Sequence, residues 1–287
     1  MSHSHKETIH YINDSEMGMF DTHAHLYDAR FSEEGTTPED ILTRASKAGV
    51  TDILIPGDSI ESSKAAFEFA TKYNGFEGVT LYAACGVHPH EASTYDEDAE
   101  ETLKKWLSER EKYRIKALGE IGLDYYYDFS PRDVQKNVFE RQLNLAFEAD
   151  IPFILHERDA SGDSTEILRS YYKTGRLLKT PGVCHCCSCS PEIAKILVDM
   201  GFYIGFDGPL TFKNNKRGID VCRETPLDRI VIETDSPYLT PEPNRGKTNE
   251  PEFVPFVAEK IAEIKGISSE DAFKILTDNA KKLYRID

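Results

Sequence analysis

Short apolar runs alternate along the chain with longer stretches in which apolar residues recur every three or four positions. Eight short runs read as strands: Met19–Thr22, Asp52–Pro56, Leu81–Val87, Ile115–Glu120, Pro152–His156, Gly182–His185, Phe202–Phe206 and Arg229–Glu233. None alternates cleanly between apolar and polar residues, which is the pattern of strands buried on both faces. The stretches between them predict helices. Pro38–Ala48 follows Thr37, an N-cap with proline at the first helical position. Arg132–Ala149 puts Val134, Val138, Leu145 and Ala149 on one face, widened by Phe139, Leu143, Ala146 and Phe147. Pro191–Met200 starts after Ser190 in the same way and stops at Gly201. Val254–Ile264 and Ser269–Tyr284 close the chain. Eight strand–helix repeats outline an α/β fold, the (β/α)8 TIM barrel. An open doubly wound sheet shares that alternation, because periodicity does not report closure.

The 287 residues suit one domain of this kind, for which about 250 is typical. No repeat, low-complexity block or linker divides them. The expected organisation is a flexible N-terminal tail, residues 1–18, and one barrel domain, residues 19–287. The tail is polar, with no apolar signal core, so secretion is not expected and His3, His5 and His10 read as incidental. No apolar run reaches the roughly 18 residues of a membrane span. The balance of 34 basic and 50 acidic residues, a net −16, repels polyanions at long range. It disfavours broad nucleic-acid coating but not a local site whose field is set by divalent ions. Of six cysteines, Cys85, Cys184, Cys186, Cys187, Cys189 and Cys222, four fall within six residues, too crowded all to pair with one another. Reduced thiols and a cytoplasmic location are expected.

Beyond the tail, six histidines remain: His23, His25, His88, His90, His156 and His185. Each is expected at or just past the C-terminal end of a strand, the face on which barrel enzymes carry their active sites. His23 and His25, two apart in extended chain, point the same way and can grip one ion. Glu120 follows an apolar strand between glycines; a bare buried carboxylate there is costly, and bridging two cations relieves it. Asp124 reads equally well as a site residue or a loop carboxylate. His156 is a candidate ligand. Arg158 is suited to a phosphate oxygen, or to a salt bridge with Asp159 or another neighbour. In Cys184-His185-Cys186-Cys187-Ser188-Cys189 the spacing is not that of a zinc knuckle, so His185 is the better ligand than the thiols. Asp235 can bind metal and accept the proton of an attacking water, whereas Glu233 reads as structural. His88 and His90 suit either positioning of substrate or its leaving group, or packing.

In this order the pieces resemble the TatD family of metal-dependent deoxyribonucleases in the amidohydrolase superfamily. The likeness runs from Met19 to the C-terminus through DTHAHL (21–26), GVHPH (86–90), GEIGLDYY (119–126), LHERD (155–159), CHCCS (184–188), GPLTFKN (208–214), ETDSPYL (233–239) and TNEP (248–251). Cys189 stands where the family usually has glycine, and Ser236 where alanine is common. The resemblance implies a barrel with two divalent metal ions. His23, His25 and Asp235 would hold the first, His156 and His185 the second, and Glu120 both. It also implies a histidine near the substrate at the His88 position, and 3′–5′ exonuclease action on DNA, single-stranded or at 3′ ends, often with magnesium. The histidine content suits zinc or manganese better on softness grounds, so Mg, Mn and Zn are all candidates. The expected chemistry is in-line attack on a phosphodiester by a metal-activated water, with Asp235 handling the proton and Arg158 the phosphoryl charge. Two rival readings are a barrel hydrolase of a small ester, lactone, amide or phosphotriester, which the net charge favours, and a non-catalytic thiol metal site or redox sensor.

Overall fold

In the computed structural model, residues 18–286 are described; the tail expectation for residues 1–17, with His3, His5 and His10, falls outside them. The eight strands are β1 (Met19–Asp21), β2 (Val50–Ile55), β3 (Thr80–Cys85), β4 (Ile115–Asp124), β5 (Phe153–Arg158), β6 (Gly182–Cys184), β7 (Tyr203–Phe206) and β8 (Ile230–Ile232). They form one sheet in sequence order, and every paired neighbour is parallel. The ends meet: Thr22 N donates to Ile232 O at 3.0 Å and His25 N to Ser236 O at 2.8 Å, and Ala24 bridges Ser236 in parallel. This near-closed barrel excludes the open-sheet alternative.

Around it lie α1 (Ala29–Glu33), α2 (Pro38–Lys47), α3 (Ile60–Tyr73), α4 (Glu97–Ser108), α5 (Arg132–Glu148), α6 (Ser161–Lys173), α7 (Pro191–Asp199), α8 (Lys216–Glu224), α9 (Val254–Lys265) and α10 (Ser269–Tyr284). The expected starts have their physical causes in place. Thr37 Oγ1 accepts from Asp40 N and Asp40 Oδ2 accepts from Thr37 N, both at 3.1 Å, a reciprocal cap ahead of Pro38. Ser190 Oγ accepts from Ile193 N ahead of Pro191.

Strand alternation sorts the core into two layers. Phe20, Leu54, Tyr82, Ala84, Ala117, Ile154, Val183, Tyr203 and Val231 fill the barrel, with Leu283 and Tyr284 of α10 packed against them. Their neighbours, among them Ile53, Leu81, Leu118, Leu155, Ile204 and Ile232, pack in the larger outer core with the helices. Both faces are therefore apolar, which is why the strands lack a polar side. Two residues beyond Ile154, Val183 and Val231, the same alternation turns His156, His185 and Glu233 inward. Room at this level comes from glycine: a Cβ on Gly205 would sit 2.7 Å from Glu233 Oε2, and one on Gly86 2.9 Å from the Gly119 backbone.

Two boundaries differ from expectation in ways that move chemistry. β4 continues to Asp124, so Glu120 lies inside the strand and not at its end. The β4–β5 register slips between Leu118 and Ile121, and Glu120 N donates to Gly57 O at 2.7 Å, in the loop after β2. This irregularity re-aims the side chain, as bulges do. β5 likewise runs on to Arg158, placing His156 within the strand rather than at its tip.

Candidate metal centre

The β1–α1 loop supplies His23 and His25, whose Nε2 atoms are 3.2 Å apart. Both face Glu120 Oε1, at 3.2 and 3.3 Å, and both face Asp235 Oδ1, at 3.7 and 3.5 Å. Asp235 lies just past β8 with φ of +56°, its N–H donating to His23 O at 2.9 Å. On the other side, Glu120 Oε2 is 3.1 Å from His185 Nε2, 3.6 Å from His156 Nδ1 and 3.9 Å from His88 Nε2. One carboxylate thus shows each oxygen to a different group of imidazoles. All six expected ligands converge here. His88 joins them: its Nε2 can ligate as readily as it can orient substrate, an option the sequence motif alone does not raise.

Donor atoms of His23, His25 and Glu120 lie within 4.8 Å of one another, as do those of His88, Glu120 and His156, and of His23, His185 and Asp235. Imidazole nitrogens with shared carboxylates are a donor set for divalent ions of the Zn or Mn kind. His185 takes part on both sides, its ring stacked on that of His23 at 4.2 Å between centroids.

Partners one step away fix the ring tautomers. Tyr27 donates its hydroxyl to Pro56 O at 2.9 Å, so this oxygen accepts from His25 Nδ1 at 3.2 Å and leaves Nε2 free. Asp124 Oδ2 pairs with His156 Nε2 at 3.0 Å and with His90 Nε2 at 2.8 Å, and Oδ1 accepts from the N–H groups of Tyr126 and Tyr127. Asp124 is therefore a site residue, and His90 reaches the centre through it. Glu233 is wholly buried, accepts from Cys186 N and lies 3.7 Å from His185 Nδ1. Asp21, to which the sequence pattern assigns no role, accepts from Thr234 N at 2.9 Å and His23 N at 3.2 Å, clamping the ends of β1 and β8.

Burial and charge set the protonation states. Burial pushes Glu120 up, but His23 and His185 outweigh it and hold the carboxyl well below the usual range. Burial likewise opposes ionisation of Asp235, but the hydrogen bond from His25 keeps it ionised. Burial and the neighbouring His185 lower His23 to about 4, and burial with His156 lowers His88. Burial pushes His25 and His156 down as well, but Tyr27, Asp235 and Glu120 raise His25 well above its usual value, and hydrogen bonds to Asp124 and Glu120 raise His156 to about 9. The ionised carboxylates thus hold protons on these two rings, which an entering cation would displace.

A cavity of about 560 Å³ opens beside the centre, lined by His156, His185, Cys186, Asp207 and Asp235 together with Arg158, Lys216 and Arg217. Among the described residues none of these three cations makes an ion pair. Arg158 does not bridge to Asp159; its guanidinium lies over the rings of Tyr126 and Tyr127 at 4.1 and 4.9 Å. Tyr126, Tyr127 and Phe129 are exposed, Phe129 at 68%. The thiol run divides as follows: Cys184 and Cys189 are buried in the outer core, while Cys186 and Cys187 both line the cavity, with Cys187 Sγ 3.2 Å from Cys189 Sγ. All six cysteines are free thiols. No helix of the described residues is long and apolar enough to cross a membrane.

Residues 20–285 match the family model of TatD-related DNases. The chain is 42% identical to the uncharacterized metal-dependent hydrolase YabD of Bacillus subtilis, over 94% of this chain and all of that protein. It is 32% identical to the 3′–5′ ssDNA/RNA exonuclease TatD of Pantoea ananatis, over 93% and 99% of the two. Among solved structures, that of YjjV, a TatD homologue from Escherichia coli, superposes with a TM-score of 0.83 at 29% identity, covering 94% and 98%.

Proposed function

We propose, on the premise that this chain belongs to the TatD-related DNase family of metal-dependent hydrolases, that it removes nucleotides from the 3′ end of single-stranded DNA by hydrolysing the terminal phosphodiester. On this reading His23, His25 and Asp235 would hold one divalent ion and His156 and His185 a second, with Glu120 serving both sides; Mg, Mn and Zn are the candidates. When bound, such a pair supplies Lewis-acid chemistry, acidifying water and offsetting charge on phosphoryl oxygens.

The chain's own groups do the rest. Asp235, ionised and lining the cavity, takes the proton of the attacking water. Water oxygen bonds to phosphorus as the phosphorus–O3′ bond breaks, and the leaving oxygen takes up a proton. Arg158, Lys216 and Arg217 hold phosphate oxygens, and His88 faces the reacting group. Exposed Tyr127 and Phe129, packed against His90, offer ring faces to a base. Six free thiols suit a reducing compartment such as the cytoplasm.

The observation that carries the reading is the shared cavity: unpaired cations line the same wall as His156, His185 and Asp235, in a chain whose net charge is −16. Three cations kept without a carboxylate partner among the described residues, against that background, are explained by an anionic substrate. The test is hydrolysis of a 3′-labelled single-stranded oligonucleotide by metal-stripped protein with magnesium, manganese or zinc restored. Stepwise shortening from the 3′ end, absent in Glu120→Ala, is expected. No cleavage by protein shown to hold two ions would overturn it and direct attention to small esters, lactones or amides.

A further inference from the structure

One group of donors on the cavity wall is not absorbed by the histidine-rich centre. Cys186 follows His185 with φ of +43°, and its backbone N–H is held by the Glu233 carboxylate. Its thiol sulfur meets a carboxylate oxygen of Asp207, one residue past β7, and one of Asp235, past β8; these three donor atoms lie within 4.8 Å of one another. Asp207 is only 4% exposed, and its Oδ2 is buried with no hydrogen-bond partner among the described residues. A shielded carboxylate oxygen with no donor is costly. All three residues line the cavity, so a solvated cation has a way in.

We propose that Cys186, Asp207 and Asp235 form a further divalent-cation site, joined to the histidine-rich centre through Asp235. A thiolate among the donors selects zinc, cobalt or cadmium over magnesium, whose hard, strongly hydrated ion prefers oxygen. The thiol proton passes to solvent as the sulfur–metal bond forms. Three protein donors leave a tetrahedral ion one position, which in a site open to a cavity falls to water or a substrate oxygen. Lys216 and Arg217 line the same cavity, so an anionic oxygen drawn there meets positive charge besides the ion.

The site rests on the paired-metal reading only through Asp235, and the experiment keeps the two separable. Metal-stripped full-length protein is titrated with cobalt(II), following the near-ultraviolet sulfur-to-cobalt charge-transfer band and the number of ions bound. The band is expected in the unaltered protein and in Glu120→Ala, which removes the bridging carboxylate. It is expected to vanish, with one equivalent of cobalt, in Cys186→Ser and in Asp207→Asn. Both substitutions are near-isosteric, and circular dichroism confirms that each variant is folded. Cys187→Ser, which alters the neighbouring thiol, is expected to retain the band. Absence of the band from the unaltered protein, its survival in Cys186→Ser, or its loss in Cys187→Ser alone would overturn the proposal. The first outcome would mean that Cys186 is only a thiol beside Asp207; the other two would assign the cobalt to the Cys187 neighbourhood.

Discussion

His156 lies between two carboxylates, its Nε2 3.0 Å from Asp124 Oδ2 and its Nδ1 3.6 Å from Glu120 Oε2. An ionised carboxylate only accepts. Burial pushes Asp124 up, but hydrogen bonds from His156, the Tyr127 backbone and His90 outweigh it and keep it charged. Burial pushes His156 down, but the hydrogen bonds to Asp124 and Glu120 outweigh it and raise the ring to about 9, so both nitrogens carry protons. A cation would displace the one on Nδ1, while the Nε2 proton stays with Asp124. Asp124→Ala frees the ring and leaves this choice unmade. Metal affinity is expected to fall about 10- to 100-fold, the usual effect of losing such a partner. Calorimetric titration of metal-stripped protein with zinc or manganese checks this, and unchanged affinity would show that Asp124 does not set the ring.

Arg158 and Arg217 reach the cavity from β5 and α8, on opposite sides of His185 in sequence. A charge-assisted hydrogen bond to phosphate contributes about 1.5–3 kcal/mol. Arg217→Ala is expected to raise KM for an oligonucleotide about 10- to 100-fold, with a much smaller change in kcat. The dependence of log Kd on log salt should become shallower by about 0.7 for each phosphate that is no longer neutralised. Arg158→Ala should behave alike, with some added loss because its stack on Tyr126 and Tyr127 goes too. A salt slope unaltered in both variants would remove these arginines from the substrate path.

Phe129 stacks on Tyr127 with ring centroids 5.2 Å apart and an interplanar angle of 23°, and both rings pack edge-on against His90. An exposed aromatic pair next to a hydrolytic centre is suited to nucleobases, whose stacking contributes about 1–3 kcal/mol per base. Phe129→Ala is expected to weaken oligonucleotide binding by up to about 100-fold while leaving hydrolysis of a small phosphodiester without a base unchanged. Equal loss on both substrates would mean that the ring shapes the centre instead. Folding stability should change little, because the side chain is 68% exposed.

The barrel is legible in the sequence because its strands are apolar on both faces: Ile53 and Leu54, or Phe153 and Ile154, are both buried though they point opposite ways. The candidate ligands are legible as motifs, since His23 and His25 or the Glu120 and Asp235 segments carry their spacing locally. What escapes is whatever depends on register or on distant partners. Glu120 sits mid-strand because β4 slips against β5, a displacement the sequence pattern does not encode. Asp21 needs Thr234, 213 residues away, and Asp207 gains meaning only when β7 and β8 set it beside Cys186 and Asp235. Tyr27 has a local signal, a hydroxyl two positions past His25. Arg158 is open in sequence between phosphate and salt bridge, and in the fold it takes neither Asp159 nor another carboxylate but two tyrosine rings.

Asp21 supplies a pH test of the clamp between β1 and β8. Burial pushes its carboxyl from an ordinary 3.8 up to about 7, against the hydrogen bonds from Thr234 and His23. Between these values the folded chain holds a proton that the unfolded chain has released. Fewer protons are bound on unfolding, so stability falls as pH rises from about 4 to about 7, by an amount on the order of a few kcal/mol. In Asp21→Asn the amide oxygen still accepts from Thr234 N and His23 N, and its N–H can donate to the Thr234 hydroxyl, which lies 2.6 Å from Oδ2. The variant carries no charge at this position, so it is expected to lose less stability across that window than the parent. Urea denaturation of both chains at a series of pH values, in chelator so that metal linkage does not enter, reads the difference. Parallel pH profiles would show that Asp21 is ionised in the fold despite its burial, with Thr234 and His23 sufficient to hold the charge.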